Sequence, residues 1–197
     1  MNSRCIFILG GSRSGKSAYA EKLAKQLAGQ VLFIATAEAG DEEMAKRIAA
    51  HRKNRPKSWR TLEAAGNIGK QIEKKAGEAG IIIIDCLTLM VSNLMSVTTD
   101  SGDEAENRKT VLRVKRELRG LLKCMEKVDA TFIIVSNEVG LGLVPPYPLG
   151  RLYRDLLGEV NQSVARRADE IYFMAAGIPF CMKGKRIERR QLSEDCL

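Results

Sequence analysis

A chain of 197 residues that is 45% hydrophobic and 28% charged has enough apolar material for one folded domain, which excludes a disordered or fibrous protein. Its five cysteines (Cys5, Cys86, Cys124, Cys181, Cys196) include no C-x-x-C pair and it has one histidine, which argues against a disulfide scaffold or a structural zinc site and for a reducing, cytoplasmic compartment. Of the formal charge of +8, half sits in "KGKRIERR", Lys183–Arg190, and no aromatic residues interleave with it, so the surplus predicts a solvated tail and a basic phosphate pocket and argues against nucleic-acid binding.

The opening "MNSRCIFILGG" has an apolar run too short for a secretory signal, and no run nears the ~20 residues of a membrane span. That run, Cys5–Leu9 ("CIFIL"), is continuous rather than alternating, as in a strand of a parallel sheet covered on both faces. Directly after it comes "GGSRSGKS", which satisfies G-x-x-x-x-G-K-[ST] through Gly10, Gly15, Lys16 and Ser17. With a strand before and a helix after, this is a phosphate loop. The backbone of Gly10, Gly11, Ser12, Arg13, Ser14 and Gly15 cradles phosphate oxygens. Lys16 reaches the β- and γ-phosphates, and the Ser17 hydroxyl is a ligand for Mg2+. The stripe Ala20, Leu23, Ala24 and Leu27 predicts the helix, ended by Gly29. A second strand follows at Val31–Thr36 ("VLFIAT").

"AGDEEMAKRIAAHRKNRP" reads as a short helix with Asp41 as N-cap, Glu42 and Glu43 in the first turn, and an end near Arg55 imposed by Pro56. Arg47, His51 and Arg55 are four apart and share a face. Such a row is repulsive unless an anion sits among the cations. Cationic neighbours favour a neutral imidazole, and a neutral imidazole is a nucleophile. The arginines can hold phosphate oxygens bidentately. The same spacing admits a solvated basic helix with an incidental histidine.

"IIIID", Ile81–Asp85, predicts a third strand. Its last residue, Asp85, belongs at the C-terminal edge of the sheet, where ligands of open α/β sheets bind, and is the second candidate ligand for Mg2+. A turn-starting aspartate is the alternative. "VTTDSGDEAEN", Val97–Asn107, reads as a surface loop. Val111, Val114, Leu118, Leu121, Leu122 and Met125 predict a long helix, and Leu152, Leu156, Val160 and Val164 another. Between them Thr131–Ser136 is a strand, and Ser136, Asn137 and Glu138 at its end should line the same crevice as Asp85. Ile171–Ala175 is the last long strand, and Ile178–Met182 a short antiparallel edge strand. The alternation predicts one α/β P-loop NTPase domain over residues 1–183, with a mostly parallel central sheet, helices on both faces and an antiparallel edge. A charged tail, 184–197, follows. These features leave open a kinase, a nucleotide-dependent switch and a nucleic-acid ATPase.

Four ordered segments narrow the choice: "GGSRSGKS", "IATAEAGDEEMAKRIAAHRKNRPKSWRTLEA", "DCLTLMVSNLM" and "SNEVGLGLVPPYPLGRLYRDLLGEVNQSVARRADEIYF". In these the chain resembles the bifunctional adenosylcobinamide kinase / adenosylcobinamide-phosphate guanylyltransferase family of cobalamin biosynthesis, from about Cys5 to Gly177. The resemblance implies phosphorylation of adenosylcobinamide by ATP or GTP with Mg2+, then transfer of GMP from GTP to adenosylcobinamide phosphate through a guanylylated histidine, here His51. It further implies nucleotide contacts from Arg52, Lys53, Asn54 and Arg55, from Thr36, Ala37 and Glu38, and from Glu63, an acidic role for Asp85, and a homo-oligomer, with a trimer as the candidate. Family members often carry a second histidine beside the nucleophile, where this chain has Ala50. The competing readings are a monofunctional P-loop kinase with a structural His51, which a covalent GMP adduct separates from the bifunctional transferase, and a non-enzymatic nucleotide-dependent switch or nucleic-acid ATPase, which nucleic-acid-stimulated hydrolysis would favour.

Overall fold

The computed structural model describes residues 3–37, 55–95 and 104–184. Along the chain these form β1 (Arg4–Gly10), α1 (Lys16–Leu27), β2 (Val31–Ala35), β3 (Arg60–Glu63), α2 (Ile68–Lys75), β4 (Ile81–Asp85), α3 (Leu87–Met95), α4 (Glu104–Lys127), β5 (Thr131–Val135), α5 (Pro148–Arg167), β6 (Glu170–Ala175) and β7 (Ile178–Lys183). One sheet takes the order β3-β2-β4-β5-β1-β6-β7. All neighbours are parallel except β6 and β7, the antiparallel edge expected from the break at Gly177–Pro179.

The continuous apolar runs are the strands buried on both faces. Ile82, Ile83 and Ile84 are each 0% exposed, as are Phe132, Ile133 and Ile134. One face of the sheet packs Ile6, Ile8, Phe33, Ile83 and Val135 against Ala20, Leu23 and Ala24 of α1. The other packs Phe7, Ile34, Ile84 and Ile134 against α2 to α5. Burying such side chains on both faces contributes roughly 1.5–3 kcal/mol each, which is what makes the sheet a rigid platform. The Cys5 and Cys124 thiols lie in this core, and burial pushes them up to about 12 and about 11, so both behave as small apolar groups. Among the described residues no helix is long and apolar enough to cross a membrane.

Two local expectations are corrected. Glu104–Asn107 belong to the first turn of α4, not to a loop. Glu104 and Glu106 suit the positive helix start, and Glu104–Arg108 and Glu106–Lys109 pair along the helix. Helix α1 ends at Leu27, and the residue that turns left-handed is Ala28 (φ +47) rather than Gly29, which instead packs on Ile81. Of the tail proper, only Gly184 is described. Helices α2 and α4 cross in direct contact: a Cβ on Gly69 would lie 2.4 Å from the Gly120 carbonyl oxygen.

Candidate functional site

The loop between β1 and α1 is held from behind by the β6–β7 turn. Gly10 has φ +148, and a Cβ there would stand 2.4 Å from the Met174 carbonyl oxygen on β6. Gly15 has φ +93, with Gly177 Cα 3.2 Å from its would-be Cβ. Both positions therefore require glycine. The Gly177 amide donates to Ser14 O at 3.0 Å, and the Glu138 amide donates to Gly10 O at 3.1 Å, so β5 and the β6–β7 turn brace the loop from two sides. The N-terminus of α1 opens onto it, with partial positive charge from its unpaired amides.

Lys16 is 7% exposed. Its Nζ donates to Gly11 O at 2.6 Å and lies 3.5 Å from Ser14 Oγ. Burial lowers its pKa from the ordinary 10.5, and the neighbouring Cys86 and Asp85 offset part of that fall.

Opposite the loop, the C-terminal ends of β2, β4 and β5 complete a cleft of about 440 Å3. Ser12, Arg13, Ser14, Gly15, Lys16 and Ser17 form one wall. Ala35, Ala37, Asp85, Cys86, Val135 and Asn137 form the other, with Thr88 and Leu89 from α3 and Arg55 closing it. Asp85 shares the strand face of Ile81 and Ile83, which face α1, so the carboxylate is on the loop side of the sheet. The Arg55 guanidinium stacks over the Phe33 ring, 3.6 Å from its centroid, a cation–π contact that fixes a charge at the cleft.

The structure thus brings Ser12–Ser17, Ala37, Arg55 and Asp85 to one cleft, with Gly10 and Gly11 framing it. Thr36 is behind the wall. It is 0% exposed, its Oγ1 donates to Cys86 O at 2.8 Å, and it accepts from the Cys86 amide at 2.7 Å. Asn93 Nδ2 donates to Thr36 O at 2.7 Å, tying α3 to the same clasp. The clasp sets where Asp85 stands. Replacing Thr36 by valine would strand the Cys86 amide, while the Cys86 carbonyl would keep the Met90 amide at 3.2 Å, so Thr36→Val should cost about 1–3 kcal/mol in a denaturant titration. Glu63 ends β3 opposite Ala35, exposed and outside the cleft lining. Glu38, Arg47, His51, Arg52, Lys53 and Asn54 lie outside the described residues. The polar cluster after β5 is split: Asn137 lines the cleft, Ser136 is buried, and Glu138 Oε1 accepts from the Gly140 amide at 2.6 Å.

Cys86, Thr88, Leu89 and Val135 were not singled out from the sequence, although Cys86 to Leu89 directly follow Asp85. Burial, then the Asp85 charge, pushes the Cys86 thiol up to about 11, so it stays protonated and is no rival nucleophile. The Ser17 hydroxyl and the Asp85 carboxylate are hard oxygen donors on the two walls of one cleft, the donor set Mg2+ takes when phosphates and waters supply the remaining positions.

The family model for cobinamide kinase / cobinamide phosphate guanyltransferase matches residues 6–182. The bifunctional adenosylcobalamin biosynthesis protein CobP of Pseudomonas aeruginosa is 41% identical over 178 residues, spanning 90% of this chain and 96% of that protein. The bifunctional adenosylcobalamin biosynthesis proteins CobU of Escherichia coli and of Salmonella typhimurium are each 37% identical, over 88% of this chain and 96% of theirs.

Proposed function

The chain belongs to the cobinamide kinase / cobinamide phosphate guanyltransferase family, and from that premise we propose that it phosphorylates adenosylcobinamide with ATP or GTP and then joins GMP from GTP to the phosphate it has made. The observation that carries this reading is the single cleft in which the phosphate loop, Asp85 and Arg55 meet.

In the first reaction the loop amides and the start of α1 hold the triphosphate, and Lys16 sits against its β- and γ-phosphates. The aminopropanol hydroxyl of the corrinoid forms a new P–O bond to the γ-phosphorus as the β–γ bridging bond breaks; the nucleoside diphosphate leaves and the hydroxyl proton passes to solvent. Ser17 and Asp85 would hold Mg2+, which when bound neutralises charge on the phosphates. In the second reaction an imidazole nitrogen of His51 attacks the α-phosphorus of GTP. A P–N bond forms, the α–β bridging bond breaks, and pyrophosphate leaves. An oxygen of adenosylcobinamide phosphate then displaces the imidazole, giving adenosylcobinamide-GDP. Ala37 and Arg55, the described residues that flank the segment carrying His51, both line the cleft. Three residues lie between His51 and Arg55, so four Cα steps limit the reach to at most ~14 Å. Arg52, Lys53 and Asn54 fill that interval as nucleotide contacts. Glu38 and Glu63 complete the guanosine side in this reading, and Thr36 acts by positioning. We place the enzyme in the cytoplasm as a homo-oligomer, with a trimer as the assembly to test.

Incubation with α-labelled GTP and Mg2+, followed by peptide mapping, tests the reading directly. The expected label is one GMP on the peptide containing His51; label elsewhere, or none, would overturn the covalent route. Asp85→Asn removes one of two anionic or polar metal donors and should raise the Mg2+ concentration needed for half-maximal phosphorylation at least about tenfold; an unchanged Mg2+ titration would return Asp85 to a turn residue. The family match ends at residue 182, and a chain lacking 184–197 should keep both activities within about twofold in steady-state assays.

A further inference from the structure

A second cavity of about 450 Å3 lies between α2 and α4, away from the cleft. Five cations line it, Lys70, Arg113, Arg116, Arg119 and Lys123, against one carboxylate, Glu117. Positions 116, 119 and 123 fall on one side of α4 by helical spacing. Glu117 is already committed. Its Oε1 accepts from the Ile68 amide at 2.6 Å and its Oε2 from the Asn67 amide at 2.9 Å, which caps the start of α2. Arg113 pairs with Glu106 at 3.1 Å. Among the described residues, Lys70, Arg116, Arg119 and Lys123 have no carboxylate within ion-pair distance.

These four exposed cations around one concavity create a positive well that is deepest at low salt and is screened as salt rises. The walls cannot relax apart, because the contact between Gly69 and Gly120 locks the two helices together beneath it. No aromatic residue lines the well, so it offers nothing for a base to stack on. Dense negative charge in a small volume is the property of a polyphosphate. We propose that the α2–α4 groove is a second anion site that binds a polyphosphate, either the triphosphate of a nucleotide or free pyrophosphate. The choice of this ligand rests on the proposed reaction, which consumes the one and releases the other.

Calorimetric titration at low salt separates the possibilities. Wild-type protein should bind two equivalents of pyrophosphate per chain, one in the cleft and one in the groove. The double variant Arg116→Glu, Lys123→Glu should keep the cleft site and its initial rate of phosphorylation, and lose at least tenfold in affinity at the other. Lys16→Ala should show the converse. Comparing GTP with tripolyphosphate and pyrophosphate identifies the source: equal binding of the first two assigns a nucleotide's triphosphate, and tighter binding of the third assigns the released product. One equivalent in the wild type, or two that charge reversal leaves unchanged, would overturn the site. So would a short DNA duplex binding the groove when polyphosphates do not. The His51 labelling experiment does not touch the groove, so failure of either idea can be told from failure of the other.

Discussion

His51→Asn should form no GMP adduct and transfer no guanylyl group, a loss of at least about 10⁴-fold, while phosphorylating adenosylcobinamide within about twofold of the wild-type rate. Asparagine keeps a polar side chain but cannot carry the P–N bond on which the proposed second reaction depends. The first reaction needs the loop, Lys16 and the cleft, none of which the substitution alters. In the wild type the adduct should be labile to acid and stable to alkali, as a phosphoramidate is. Arg55→Ala gives a graded companion result. Arg55 is fixed on Phe33 at the cleft, and removing its charge-assisted contact should weaken GTP use about tenfold or more, beyond the effect of Arg52→Ala. A His51→Asn enzyme that still made adenosylcobinamide-GDP at the wild-type rate would overturn the covalent mechanism.

Lys16→Ala should do the reverse to the first reaction, lowering phosphorylation by about 10²–10³-fold or more, because it removes the buried cation proposed to contact the β- and γ-phosphates. The fold should survive. The substitution removes one hydrogen bond, to Gly11 O, worth about 1 kcal/mol, and also removes a charge that burial disfavours. Thermal unfolding should therefore shift by no more than about 2–4 °C. Lys16 also sets a pH signature. Its folded pKa lies below 10.5, so kcat/KM for phosphorylation should fall on the alkaline side at a pH below 10.5. Stability moves the other way. Between the folded pKa and 10.5 the unfolded chain holds more protons, so this group's contribution to stability rises with pH. Activity that persisted to pH 10.5, or stability that fell through the same window, would contradict this account of the buried ammonium.

The parts of the molecule that could be read from residues are those in which one local pattern suffices. Four consecutive isoleucines before Asp85 specify a strand covered on both faces, and glycine spacing before Lys16 specifies the loop. β3 escaped because it is a four-residue edge with only Leu62 buried, too little for any period to show. α2 escaped because Gly69 reads against a helix. It is tolerated there for its contact with Gly120, which no local pattern encodes. α3, "LTLMVSNLM", is apolar on nearly every side and so has no stripe. The cleft was legible where a motif marks it, at Ser12–Ser17 and Asp85. Cys86 and the clasp on Thr36 depend on hydrogen bonds between residues 50 apart in the chain, and these become visible only once β2 and β4 lie side by side.

The brace behind the phosphate loop has a consequence for how the protein is made. The loop occupies residues 10–17, yet the amide that holds Ser14 O belongs to Gly177, and β1 itself lies between β5 and β6. On the ribosome the first functional element is therefore the last to be completed. With synthesis at ~5–20 residues per second, the loop emerges roughly 8–30 s before its hairpin does. Until β5 emerges, β1, an apolar strand destined for the centre of the sheet, has neither neighbour, and it then waits for β6. A growing chain should gain the ability to retain nucleotide only when the hairpin clears the exit tunnel, in one late step rather than gradually.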